Sequence, residues 1–126
     1  MTSFLGDAKI ALQSAELLLR AGDTRGAVNR SYYAMFDAAR GALAAIDPDL
    51  LKAKTHASII RRFGKHLVEA RGFDRSLGRI FSQTEDARLA ADYEQDRIDE
   101  LTAKSIVAEA ERFVLAVERF LAQEKS

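Results

Sequence analysis

Apolar residues recur every three or four positions along five stretches of this chain. Such spacing collects them on one face of an α-helix, because successive helical residues are turned by about 100°. The predicted helices cover, approximately, residues 3–20, 23 or 24 to 46, 55–70, 74–91 and 99–120. The pattern predicts an all-α fold with one domain over residues 1–126, an antiparallel up-and-down bundle of four main helices plus a shorter element.

The predicted ends of these helices contain residues that favour helix ends. Gly22 is a C-terminal stop for the first helix. The stretch 47–49, Asp-Pro-Asp, ends the second, because the residue before a proline is pushed out of the helical region. Thr55, Asp74 and Asp99 have side chains that cap helix N-termini.

The second predicted helix is apolar on most of its surface. Arg30, Tyr33 and Asp37 lie on one stripe of it at helical spacing. Such a helix is expected at the centre of a bundle, with its polar groups facing a pocket or a partner. Tyr32 and Tyr33 are equally compatible with core aromatics whose hydroxyl groups reach the edge of the core. A second stripe consists of small residues, against which another helix could pack closely: Ala27, Ser31, Ala34, Ala38 and Ala42.

Composition narrows the chemistry that is open to the chain. It has no cysteine, and its two histidines are ten positions apart, so we predict no disulfide, no metal site and no cofactor. No apolar run approaches the roughly 20 residues that span a bilayer, and the N-terminus does not resemble a signal peptide. We therefore expect a cytoplasmic protein without a membrane partner.

The net charge is zero, but charges of opposite sign are separated along the chain. Residues 52–79, the basic segment, contain eight lysines and arginines against two carboxylates. Residues 85–100, the acidic segment, contain seven carboxylates against two arginines. This separation can produce a surface that attracts phosphate. It can also produce two solvated helix faces that pair with each other, which is the simpler interpretation.

Several short segments together resemble the HEPN-domain family, in its small free-standing bacterial and archaeal form. They follow the family's order along nearly the whole chain: residues 27–36, 54–56, 63–65, 88–93 and 108–114. The Arg-x-Tyr-Tyr-Ala-Met-Phe and Ala-Asp-Tyr parts are the specific ones. The resemblance implies a four-helix bundle core, frequent homodimers, association with RNA or nucleotides, and a minimal nucleotidyltransferase as a partner.

Some members of that family are metal-independent ribonucleases, whose signature is an arginine followed four to six residues later by a histidine. Two copies of the signature meet across a dimer cleft. Histidine then exchanges protons with the ribose hydroxyl and the leaving oxygen, while arginine stabilises charge on the phosphate. Arg61 and His66 satisfy the spacing, but on a regular helix they would point about 140° apart unless Gly64 breaks it. We interpret this match as chance.

The resemblance places the signature near Arg88, where Asp92 and Tyr93 follow but no histidine does. Arg88 and Asp92 are four residues apart on one predicted helix and can form an ion pair. His56, at the predicted start of the third helix, could supply the missing imidazole if folding brings it close to Arg88. A ribonuclease site in this chain would therefore be a rearranged one.

The hypothesis that the sequence favours is a binding module that holds RNA or a nucleotide, or docks a nucleotidyltransferase, without cleaving anything. Arginine and histidine side chains would contact phosphate, and a tyrosine would bond to or stack on a base. The predicted ligand-binding residues are Arg30, Tyr33, His56, Arg88, Asp92 and Tyr93.

Two alternatives stay open. The protein could be an endoribonuclease toxin of a toxin–antitoxin pair, with Arg88, His56 and Tyr93 as the catalytic residues across a dimer cleft. It could also be a purely structural protein, in which ion pairs of Arg30 or Arg88 with Asp92 stabilise the bundle.

Overall fold

A computed structural model describes residues 3–52, 55–94 and 98–124, except for the side chains of residues 93 and 94. Its five helices are α1 (Phe4–Arg20), α2 (Thr24–Ile46), α3 (His56–Phe63), α4 (Arg75–Glu94) and α5 (Glu100–Glu124). A 3-10 turn (Pro48–Leu51) follows α2, and a π-helix (Gly64–Glu69) continues α3. The predicted all-α bundle is confirmed, with α3 as the shorter element.

Local side-chain caps begin the helices where the sequence predicted them. In each case the cap accepts a hydrogen bond from a backbone N–H two or three residues later, which satisfies a donor that the first turn leaves free. The caps are Asp23 before α2 (2.8 Å), Thr55 before α3 (3.1 Å), Asp74 before α4 (2.8 Å) and Asp99 before α5 (2.7 Å). Gly22, at φ +83°, ends α1 in the left-handed conformation that glycine adopts without strain.

The central helix of the bundle is α2, which contacts α1, α3, α4 and α5. Its stripe of small residues is completely buried, so its neighbours can approach it closely. Beside it, Phe63 stacks on Phe113 at 4.7 Å, and Phe81 meets both rings edge-on at 5.8 and 5.3 Å. The predicted central position of α2 is confirmed.

The chain after Phe63 does not continue as the regular α-helix that the apolar spacing predicted. It widens into the π-helix, and Ala70, expected to face inward, is exposed. Because a π-helix has more residues per turn, it changes the direction of every side chain beyond Gly64. Arg61 and His66 consequently line one groove. The sequence predicted that they point apart unless Gly64 breaks the helix, and the regular α-helix does end there.

Near the end of α5, Leu121 is half-buried and Phe120 belongs to the core. The Phe120 ring is buried and lies edge-on to Phe73 at 5.6 Å. The exposed large apolar side chains of the described surface are Ile10, Leu17, Leu89, Leu101 and Leu115. The predicted homodimer stays a prediction.

Among the described residues, none of the helices is both long and apolar enough to cross a membrane.

Candidate functional site

The start of α3 and the middle of α4 bring a histidine and an arginine onto one carboxylate. His56 Nδ1 lies 3.0 Å from Glu85 Oε2. Arg88 donates to Glu85 Oε1 through Nε at 2.8 Å and lies 2.6 Å from the same oxygen through Nη2. We call these three residues the polar cluster. Folding thus brings His56 close to Arg88, which the sequence had left as a condition.

Aromatic rings of α2 form the wall behind the polar cluster. The His56 ring stacks on Tyr32 with 5.4 Å between ring centres. Arg88 Cζ lies 4.9 Å from the centre of the Tyr32 ring and 5.6 Å from that of Tyr33, where the guanidinium gains from the electron-rich ring faces. The Arg88 side chain is only 13% exposed and that of Glu85 only 11%, whereas His56 is 34% exposed. His56 is therefore the member of the cluster that solvent reaches best.

The bond to Glu85 determines which nitrogen of the neutral His56 ring is the proton acceptor. An ionised carboxylate can only accept hydrogen bonds, so Nδ1 must hold the proton that it shares with Glu85. In the neutral ring, Nε2 then has a free lone pair. The arrangement resembles the carboxylate–histidine pairs in which the carboxylate orients an imidazole that acts as a general base.

The surroundings also change the pKa of Arg88, a member of the polar cluster, and of its neighbour Tyr32. Burial raises the pKa of the Tyr32 hydroxyl, and the negative charge of Glu85 raises it further. That hydroxyl is buried and makes no hydrogen bond in good geometry. Burial acts to lower the pKa of Arg88, but the hydrogen bond and charge of Glu85 outweigh it, and the pKa is raised. Both groups therefore keep their protons across the physiological range.

The other sequence-predicted site residues lie around this cluster with different roles. Arg30 Cζ lies 5.5 Å from the centre of the Tyr33 ring, and no carboxylate of the described residues pairs with it. Asp92 forms the predicted i,i+4 pair, with Oδ2 3.9 Å from Arg88 Nη1. The suggested Arg30–Asp92 pair is not formed. The Tyr93 side chain lies outside the described residues.

Glu85 is the functional residue that sequence reasoning missed. It sits three residues before Arg88, and the stripe that contains Phe81 and Arg88 also passes through it. A carboxylate on a predicted inward-facing stripe was a signal, because an unpaired buried charge is costly and points to a partner. That the partner on the other side would be His56 could not be read from the sequence, since the two are 29 positions apart.

The part of the chain that the structure describes contains no group of three or more histidine, cysteine, aspartate or glutamate side chains that could hold a metal ion.

Comparison with known proteins places these features in a family. The model of the HEPN domain matches residues 1–120. A protein of Methanocaldococcus jannaschii described as "Putative toxin MJ0605" is 36% identical over 110 residues, which cover 87% of this chain and 80% of that protein. The UPF0332 protein glr0978 of Gloeobacter violaceus is 33% identical over 118 residues, covering 92% and 91%. A UPF0332 protein of Thermotoga maritima is 29% identical over 115 residues, covering 90% and 85%.

Proposed function

This chain belongs to the HEPN-domain family, and on that premise we propose that it is a toxin-type protein that cleaves RNA without a metal ion, at the polar cluster. One of its relatives carries the description "Putative toxin", which supports the choice of a toxin activity over a structural role. The sequence alone favoured binding without cleavage. The geometry of the polar cluster shifts the preference to cleavage.

A single observation supports the proposal most strongly: His56 and Arg88 share the carboxylate of Glu85, at 3.0 and 2.8 Å. A histidine was missing after Arg88, and this contact supplies one from another helix. The aromatic wall and the bond to the buried Glu85 carboxylate hold the imidazole, whose side chain is 34% exposed, in one orientation. A general base needs such fixed geometry as much as it needs a suitable protonation state.

The proposed reaction is a transesterification within the RNA strand. His56 Nε2 takes the proton of a ribose 2′-hydroxyl while the 2′-oxygen forms a bond to the neighbouring phosphorus. The bond from phosphorus to the 5′-oxygen breaks, and that oxygen takes a proton from solvent. Arg30, which has no carboxylate partner among the described residues, would stabilise the charge on the phosphate oxygens. The products are a 2′,3′-cyclic phosphate and a 5′-hydroxyl.

Binding without cleavage is the second candidate, and the state of Arg88 favours it. Its guanidinium is largely buried and already bonded to Glu85, so little of it remains free to bind a phosphate. In this case the protein would hold RNA or a nucleotide through Arg30 and His56, or dock a minimal nucleotidyltransferase. A second copy of the chain and that nucleotidyltransferase are proposed partners under both candidates.

The deciding experiment is a cleavage assay with purified protein and end-labelled RNA in EDTA. We expect the wild type to leave 2′,3′-cyclic ends and to spare RNA methylated at the 2′-oxygens. His56→Ala should reduce the rate by about 10²- to 10⁴-fold, the usual effect of removing a general base. Arg75→Ala removes an exposed cation outside the cluster and should leave the rate within about twofold. Circular dichroism and a thermal melt of each variant confirm that it is folded.

Three results would overturn the proposal. RNA that stays intact with wild-type protein would leave binding or docking as the function. Full cleavage by folded His56→Ala would show that the general base does not lie in the polar cluster. Cleavage lost in His66→Ala but kept in His56→Ala would place the reaction in the groove that Arg61 and His66 line.

A further inference from the structure

The lysines and arginines of the basic segment that the structure describes do not form ion pairs with the described carboxylates of the acidic segment. Lys52 pairs instead with Asp49, just before it in the chain, at 3.3 Å. The simpler interpretation of the charge pattern, two helix faces that pair with each other, therefore does not hold for the described residues.

Part of this charge is concentrated in one groove of about 420 Å³, which we call the basic groove. Its lining residues are Asp49, Leu50, Arg61, Arg62, Lys65 and His66. Arg62 donates to the backbone carbonyl of Leu50 at 2.5 Å, which fixes one wall to the 3-10 turn. The carboxylate of Asp49 is the negative group on the described lining, and Lys52 already pairs with it. The groove therefore presents a net positive surface.

The basic groove adjoins the polar cluster through Arg61. This residue also lines a second cavity of about 400 Å³ between α3 and α4, and Glu85 lines the same cavity. Arg61 is five residues after His56 on α3, which corresponds to about 7.5 Å along the helix axis and to about 140° around it, so the strand follows the turn of the helix as well as its length. A stacked nucleic-acid strand covers that length with about two nucleotides, at roughly 3.4 Å each.

We infer that the basic groove binds backbone phosphates of the RNA strand next to the bond that lies at the polar cluster. This inference rests on the proposed function, which it extends by assigning the path of the substrate. Arginine and lysine are the side chains that proteins use for phosphate, and Arg61 and Lys65 are both exposed. Asp86, on α4, lines the second cavity and repels phosphate, so the strand passes along the α3 side.

The test measures RNA binding separately from cleavage. The probe is a fluorescent single-stranded RNA of about a dozen nucleotides, methylated at every 2′-oxygen so that transesterification is impossible, and its anisotropy is followed at several salt concentrations. We expect the Arg61→Ala/Lys65→Ala variant to bind about tenfold more weakly at low salt. The slope of log K against log salt should become less steep by about 1.4, because each lost phosphate contact removes about 0.7 for a single strand.

The matched control is Arg75→Ala/Arg79→Ala. It removes two exposed arginines of the same basic segment that do not line the groove, and it should keep the affinity within about twofold. Equal losses in the groove variant and the control, or no loss in the groove variant, would overturn the inference. If the groove variant binds RNA as tightly as the wild type, the groove would instead be a binding site for an acidic protein partner.

The failure of this inference can be told apart from failure of the proposed function. A wild type that binds the methylated RNA through the groove but never cleaves unmodified RNA overturns the proposed function alone. A wild type that cleaves, with unchanged Kd and KM in the groove variant, overturns the groove assignment alone. A wild type that does not bind the RNA overturns both.

Discussion

At the scale of single residues, Glu85 organises the site. Its two oxygens hold side chains from two helices, His56 on α3 and Arg88 on α4. Removing one partner of a buried charged pair costs about 3–5 kcal/mol in other proteins, because the remaining charge is left without compensation. Variants of Glu85 therefore test stability as much as chemistry, and His56, which is more exposed, is the cleaner position for a functional test.

The raised pKa of the Tyr32 hydroxyl leads to a prediction at the same scale. Burial and the charge of Glu85 raise its pKa above that of an unfolded tyrosine, which is about 10. The folded protein then holds this proton more tightly than the unfolded chain, so the stabilisation is complete below pH 10 and is lost as the pH rises further. We expect Tyr32→Phe to flatten the fall in the free energy of unfolding above pH 10.

Urea unfolding of wild type and Tyr32→Phe between pH 7 and 11.5 measures this difference. At neutral pH the variant should be as stable as the wild type or more stable by up to about 1 kcal/mol, because it removes a buried hydroxyl without a good hydrogen bond. The same alkaline loss of stability in both proteins would contradict the assignment.

At the scale of elements, the π-helix that continues α3 decides where the basic groove forms. A wider turn from Gly64 onward changes the directions of Lys65 and His66, which line the basic groove together with Arg61. Such wide turns are rare and frequently occur at functional sites. The element thus links the end of α3, which begins with His56, to the proposed path of the RNA.

Gly64, which begins the π-helix, and Gly72, three residues after its last residue Glu69, allow a paired prediction. Gly64 has φ −58°, and a Cβ placed there meets nothing within 4 Å, so Gly64→Ala should stabilise the protein by about 0.5–1 kcal/mol through loss of unfolded-state freedom. Gly72 has φ +73°, so Gly72→Ala should destabilise it by about 1–2 kcal/mol. Thermal unfolding of both variants measures the difference, and destabilisation by Gly64→Ala would show that the wide turn itself requires glycine.

At the scale of the whole molecule, one aromatic core supports both the site and the groove. Phe63, the last residue of α3, packs on Phe81 of α4 and Phe113 of α5. The helix that begins with His56 therefore ends inside the core. Its orientation, and with it the contact between His56 and Glu85, depends on how α4 and α5 pack.

Truncating this core should destabilise the protein as a whole. Phe63→Ala removes a fully buried ring, and we expect it to lower the free energy of unfolding by about 3–5 kcal/mol. Leu101→Ala removes an apolar side chain that is 81% exposed and should change it by less than about 0.5 kcal/mol. Denaturant titrations compare the two, and a loss below about 1 kcal/mol in Phe63→Ala would contradict the supporting role of the core.

The amino-acid sequence by itself determined the helices, their caps and the central place of α2. These features depend on contacts within a few residues: apolar spacing sets the buried face, and Asp23, Thr55, Asp74 and Asp99 satisfy the nearest backbone N–H groups. It also indicated the family, because several of the specific motifs lie on continuous stretches of helix.

Only the tertiary structure decided how the site is composed. Glu85 joins His56 across 29 positions because the packing of α3 against α4 places them together, and no local pattern encodes that distance. Arg61 and His66, which regular helical geometry separates, likewise line one groove in the folded protein. Local preferences fix which residues share a helix face, whereas the packing of the core fixes which faces meet.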